Sequence, residues 1–119
     1  MNEFRERMKE RTLGIAVMVL EVCDKLPATS ANSAITSQLV RSITSVGANY
    51  REACRAKSRA DFISKMQTVE AECDESLYWL ALIEARHHSG DIGLQRIKQE
   101  LNELLSIVVR AVKTAKKDV

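Results

Sequence analysis

Any chemistry in this chain has to come from a few small groups of residues. The first is Glu84-Ala85-Arg86-His87, a Glu-x-x-His. On a helix that spacing sets a carboxylate and an imidazole one turn apart, as in carboxylate-bridged di-metal bundles. Such centres need two of these motifs and two further glutamates, all facing inward. This chain has one motif. His88 points elsewhere on the helix, and Glu100 and Glu103 come without a histidine near them. His87 therefore reads as a group that helps satisfy a helix end rather than a metal ligand. The three thiols, Cys23, Cys54 and Cys73, each sit on or near an apolar face, with no histidine close in sequence. They read as small apolar side chains, not nucleophiles. The Gly-x-x-Gly from Gly90 to Gly93 lacks the lysine and the preceding strand of a phosphate loop. No metal or other cofactor is implied, and the chain is expected not to be an enzyme.

Two polar groupings are more informative. Between Arg41 and Lys65 lie six of the chain's 18 cations (Arg41, Arg51, Arg55, Lys57, Arg59, Lys65) but two of its 16 anions, Glu52 and Asp61. Arg51, Arg55, Lys57 and Arg59 crowd around one turn. That end of the molecule is expected to be positive and able to hold a phosphate backbone. The plainer alternative is a solvated helix end whose arginines pair with Glu52, Glu72 or Glu75. The second grouping is Asn49, Glu52, Glu72 and Glu75, with Tyr50 and Arg51 as further members. These are expected to form one polar network between the second and third helices. Buried acids need cations or donors, and Arg41, Arg51 and Arg55 are the suppliers at hand.

Four helices must position these groups. Residues 2–25 read as the first, with Phe4, Met8, Leu13, Val17, Leu20 and Cys23 recurring among charges. Gly14 inside it weakens a helix by about 1 kcal/mol relative to Ala, so a close neighbour is expected there. Pro27 ends this helix, and Leu26 to Asn32 reads as a connector. The second helix, 33–56, carries Ile35, Leu39, Ser42, Val46, Asn49 and Ala53 in alternating steps of four and three, a heptad seam. Its two polar members either line a site or fix the register of the pairing. Gly47 again suggests close approach. Ser58 followed by Asp61 fits a helix cap, opening a third helix, 59–88. Its seam is Phe62, Met66, Val69, Cys73, Ser76, Leu80, Ile83 and His87, with Glu72, Glu75, Trp79 and Leu82 on a neighbouring stripe. Gly90 suits a helix C-terminus, and Ser89 or Asp91 the start of a fourth helix, 92–116. There Leu94, Ile97, Leu101, Leu104, Val108, Ala111 and Ala115 form the seam. Leu105, Val109 and Val112 widen it beyond what one partner helix needs.

Composition agrees. One proline and four glycines in 119 residues leave little material for turns, so the elements are few and long. The length suits one domain, 1–119, with a single core. No apolar run approaches the ~20 residues of a membrane span. The charged start MNEFRERMKERT has no signal-peptide character. With an odd number of cysteines and no CxxC, a reduced, cytoplasmic protein is expected. A net charge of +2 is too small to imply a nucleic-acid partner by itself.

Over about a third of the chain the residues resemble a known family. The marks are Arg41-Ser42, Thr44-Ser45, Gly47-Ala48-Asn49-Tyr50-Arg51-Glu52-Ala53, Arg59 and Asp61-Phe62-Ile63. They continue with Glu72, Glu75-Ser76 and Tyr78-Trp79-Leu80. This segment is similar to the bacterial four helix bundle protein family, which includes proteins encoded in intervening sequences of large-subunit ribosomal RNA genes. The family is related to the accessory variability determinant of diversity-generating retroelements. Ile43, Cys54, Cys73 and Asp74 depart from its usual residues in ways that fit packing variation. The resemblance implies a homo-oligomer, in known relatives a five-fold ring, and no established enzymatic activity. Its retroelement relative looks like a basic nucleic-acid-binding partner of a reverse transcriptase.

The expectation is therefore an all-α, antiparallel up-down-up-down four-helix bundle assembling into a ring-like homo-oligomer. Its expected role is a non-enzymatic scaffold binding nucleic acid, RNA before DNA, through Arg51, Arg55, Lys57 and Arg59. The alternative is a protein–protein adaptor with no nucleic-acid role. An enzyme with a metal site at Glu84 and His87 ranks last, and no membrane partner is expected.

Overall fold

The chain offers few breakers, and the two turns among the described residues each lead into a capped helix start. The computed structural model describes residues 2–87 and 92–117. It contains α1 (Asn2–Lys25), α2 (Ser30–Cys54), α3 (Arg59–His87) and α4 (Ile92–Lys117), with no strand among the described residues. Consecutive helices pack side by side, and α1 also lies against α4. The result is a four-helix bundle. Its long dimension of 47 Å is about the length of the 29-residue α3 at a rise of about 1.5 Å per residue.

The caps set the boundaries. The second helix begins three residues earlier than its seam suggests, at Ser30. Thr29, extended at φ −119° and ψ 162°, accepts a hydrogen bond from the Asn32 amide, which satisfies one of the donors orphaned at a helix start. Asn32 is itself buried, and its side-chain amide donates to the Pro27 carbonyl at 2.7 Å. At the next turn the Asp61 amide donates to Ser58 Oγ at 3.0 Å, while the Asp61 carboxylate accepts from the Lys57 amide at 3.1 Å. That is the reciprocal arrangement expected from a hydroxyl followed three residues later by an acid. His88, Ser89, Gly90 and Asp91, read as the following cap and helix start, lie outside the described residues.

On α2, α3 and α4 the heptad seams form the core. Leu39, Val46, Val69, Cys73, Leu80, Leu94, Ile97, Leu101, Leu104 and Val108 are essentially without solvent contact. On α4, Val112 is buried, while Leu105 and Val109 are half-buried and line a groove shared with α3. Much of the extra apolar width of α4 thus faces the bundle itself.

The first helix is rotated from the face expected. Met8, Thr12, Ile15 and Val19 are buried. Leu13, Val17 and Leu20, expected in the core, are 58%, 47% and 40% exposed, and Phe4 is 49% exposed. Steps of four, three and four carry positions 8, 12, 15 and 19 along one stripe. Positions 13, 17 and 20 form a second stripe a third of a turn away. Apolar residues occupy both, so periodicity does not choose between them. The choice is made by α2. A Cβ on Gly47 would come within 3.2 Å of Thr12 Oγ1, so Gly47 and Thr12 mark the close approach of α1 and α2. The Thr12 hydroxyl donates back to the Lys9 carbonyl at 2.9 Å, which lets a polar residue sit in this contact.

Gly14 has no such reason. Nothing lies within 4 Å of where its Cβ would be, so the expected neighbour is absent. Gly14→Ala should stabilise the protein by about 0.5 to 1 kcal/mol, through helix propensity and a less disordered unfolded chain. A denaturant midpoint that falls in this variant would contradict that.

Candidate nucleic-acid interface and polar seam

The polar seam starts from two serines that the heptad seams of α2 and α3 carry into the core. Ser42 and Ser76 have no solvent exposure. Ser76 Oγ donates to Ser42 Oγ at 2.8 Å, and Ser42 Oγ donates to the Leu39 carbonyl at 3.1 Å. This chain of donors ties α2 to α3 and fixes their register. Changing Ser42 alone to alanine leaves the Ser76 hydroxyl buried without its acceptor and should cost about 1 to 3 kcal/mol. Changing both removes donor and acceptor together, so the double variant should lose less than the sum of the singles. Strict additivity in denaturant melts would show that the bond does not couple the helices.

One turn toward the surface, α2 and α3 share a charged network. Arg41 bonds Glu72 at 3.2 Å and Glu75 at 2.5 Å. Ser45 donates to Glu72 at 3.1 Å, and the Asn49 amide donates to Ser45 Oγ and to the Ser45 carbonyl, both at 2.9 Å. Trp79 Nε1 donates to Glu75 at 3.1 Å. The Trp79 and Arg41 bonds hold the Glu75 carboxyl below the usual carboxylate range. Glu75 and Glu72 raise the Arg41 guanidinium above its ordinary value.

Asn49, Glu72 and Glu75 are therefore linked, but through Arg41, Ser45 and Trp79. Glu52 stands apart: it is exposed and pairs with Lys65 at 2.8 Å. Being closer to the turn than Asn49, it faces the first turns of α3 rather than the stretch holding Glu72. Tyr50 and Arg51 do not join either, because they lie on the side of α2 toward α1. Tyr50 is buried beside Arg5 and Cys54, and burial foremost pushes its phenol up. Arg51 lines a groove with Lys9 and Leu13. The signal for Arg41 was its place one helical turn before the serine at 45 and opposite two acids. Ser45 gave no signal beyond being a hydroxyl next to a seam.

Glu84 and His87 do not converge. Glu84 is engaged by Lys98 at 2.7 Å and by Gln95, which lower its carboxyl pKa. His87 Nε2 lies 3.2 Å from Asn32 Oδ1, tying the end of α3 to the first turn of α2. Glu100 and Glu103 both pair with Arg11 of α1, at 2.5 and 2.6 Å. No group of three or more His, Cys, Asp or Glu that would suit a metal ion occurs among the described residues. The cysteines are free, and burial raises the Cys23 thiol and pushes Cys73 up to about 12. Both are therefore protonated at neutral pH.

At the α2–α3 turn, Arg51, Arg55, Lys57 and Arg59 are all exposed. Two of the other cations from the basic stretch are spent internally: Arg41 on Glu72 and Glu75, Lys65 on Glu52. Both acids are spent as well, Glu52 on Lys65 and Asp61 on the helix cap. Among the described residues the side chains of Arg51, Arg55 and Lys57 form no salt bridge, so the pairing with Glu52, Glu72 or Glu75 considered from sequence does not occur for them. Arg5 of α1 reaches the same end, donating to the Cys54 carbonyl at 3.4 Å. No helix among the described residues is long and apolar enough to cross a membrane.

A bundle with a polar seam buried between α2 and α3 and a basic turn closing that pair is the class these features define. The family model of the 23S rRNA-intervening sequence protein matches residues 7–110, and the chain belongs to that family. It is similar to a protein of unknown function from the S23 ribosomal protein family of Bacteroides thetaiotaomicron, whose crystal structure shares 30% sequence identity. That comparison has a TM-score of 0.82 and covers 92% of this chain and 97% of the other. No curated protein matches.

Proposed function

We propose that this protein is a non-enzymatic, homo-oligomeric helical scaffold that binds nucleic acid, RNA in the first place, through its basic end. The observation that carries the reading is that Arg51, Arg55 and Lys57 are exposed at the α2–α3 turn and form no salt bridge among the described residues, while Glu52 pairs with Lys65 and Asp61 caps α3. Phosphate recognition needs such clustered, solvent-facing cations. The family's name, which refers to intervening sequences of 23S rRNA, supports RNA as the polymer. Three free thiols suit a reducing, cytoplasmic setting.

In this reading the helices alternate up-down-up-down. Contacts such as Arg5 with Cys54, Glu52 with Lys65, Glu84 with Lys98 and Arg11 with Glu100 support that order. A second copy covers the apolar stripe Leu13, Val17 and Leu20 of α1, and a ring of five repeats the basic end for avidity. The stripe's exposure supports an interface there better than the half-buried residues of α4 do.

Fluorescence-anisotropy titrations with structured RNA and duplex DNA at several salt concentrations test the function. Binding that weakens linearly in log–log form with salt is the expected result. No binding at ~50 mM salt, where phosphate contacts are strongest, would favour a protein–protein adaptor instead.

A further inference from the structure

A cleft of about 640 Å³ opens at the basic end, lined by residues from all four helices. Three of the chain's five aromatic side chains line it: Phe4 of α1, Tyr50 of α2 and Phe62 of α3. Three arginines also line it, Arg5, Arg59 and Arg110. Among the described residues no aspartate or glutamate is in the lining. Phe4 is 49% exposed although it belongs to an apolar lining, so its ring is available to a ligand. Tyr50 is buried and Phe62 half-buried, so Phe4 is the face most open to stacking, and beside it stand guanidinium groups for phosphate.

From this juxtaposition we infer that the cleft takes an unpaired nucleobase of single-stranded RNA, with the flanking phosphates held by Arg5, Arg59 and Arg110. The inference rests on the reading of the basic end as a nucleic-acid site and narrows it to a strand whose bases are unstacked. Proteins that hold single strands combine a positive track with aromatic platforms, and every base offers a π-face. Arginine adds stacking and cation–π contact that lysine does not. A duplex keeps its bases inside and would use only the outer cations. The cleft adjoins the α2–α3 turn, so the phosphates of a strand entering it continue onto Arg55 and Lys57. An acyl chain with a carboxylate head has matching charge, but it gains little from aromatic faces that aliphatic side chains would not provide.

The test uses the whole protein and three fluorescent probes of equal length: a single-stranded RNA, an RNA duplex, and an abasic phosphodiester strand with the same charge. The expected order is tightest binding to the base-bearing single strand. Phe4→Ala should weaken that complex roughly 10-fold or more, the scale of one lost base–aromatic stack, and leave the duplex and abasic complexes unchanged. Helix content of Phe4→Ala, measured alongside, should match the parent because the ring is half exposed. Equal affinity for base-bearing and abasic strands overturns the inference without any variant and leaves phosphate binding standing. Failure to bind any of the three overturns the functional reading itself. Displacement of the RNA by a long-chain fatty acid at lower concentration than by free nucleotide would assign the cleft to a lipid and also overturn the inference.

Discussion

Replacing Ile15 with alanine is expected to cost about 2 to 5 kcal/mol of stability, while the same change at Leu13 costs the folded subunit no more than ~0.5 kcal/mol. The two residues are close in sequence, similar in size and on the same helix. Only their surroundings differ: Ile15 is 2% exposed and Leu13 is 58% exposed. Truncating Ile15 loses the transfer free energy of its methyl groups and leaves a cavity that a helix pinned at Thr12–Gly47 cannot easily collapse. Truncating Leu13 removes surface already in water. Denaturant midpoints at fixed protein concentration measure both. Under the proposed assembly, Leu13→Ser has a separate signature: a lower sedimenting mass with unchanged helix content. Equal losses of stability at 13 and 15 would mean that α1 presents the other face to its partners.

That pair also shows where the fold was legible and where it was not. On α3, one seam of apolar and small residues repeats over four heptads, and a single face satisfies it, so Met66 to Ile83 could be read as core directly. On α1, two stripes compete, and the winner depends on Gly47 of another helix admitting Thr12. A polar residue on a face with two competing stripes is invisible to hydrophobic periodicity, as Thr12 illustrates, whereas Ser42 and Ser76 were readable because the apolar residues on either side of them keep the heptad step. Among the charged residues, the acids Glu72 and Glu75 were readable because an acid beside a seam needs a donor. Which donor it finds depends on register. Arg41 lies opposite them once Ser42 meets Ser76, whereas Arg51 and Arg55, nearer the turn, form no salt bridge among the described residues. The basic end is thus a by-product of the same register: the pairing that occupies Arg41 leaves Arg51, Arg55 and Lys57 exposed at the turn. The boundary of α2 was misread because Thr29 as a cap outweighs the loop-like composition of Ser30 to Asn32.

Neutralising the turn should have the largest effect on binding. The triple variant Arg51→Ala, Arg55→Ala, Lys57→Ala is expected to lower affinity for structured RNA about 100-fold at ~50 mM salt, and to flatten the log–log salt slope by roughly 2 to 3. The slope counts phosphates neutralised, so removing three cations that each release a counterion lowers it by a fixed amount whatever the RNA sequence. The variant should fold normally. None of the three side chains makes a salt bridge among the described residues, and all three are exposed. Removing like charges crowded at one turn does not disturb the Ser58–Asp61 cap, whose bonds run through backbone amides. Arg41→Ala serves as the control. It removes one cation, but one already neutralised by Glu72 and Glu75, so it should change the melting midpoint rather than the salt slope. If Arg41→Ala and the triple variant weaken RNA binding alike, the loss reflects overall charge and not a site at the turn. An unchanged slope in the triple variant would remove the basic end from the interface altogether.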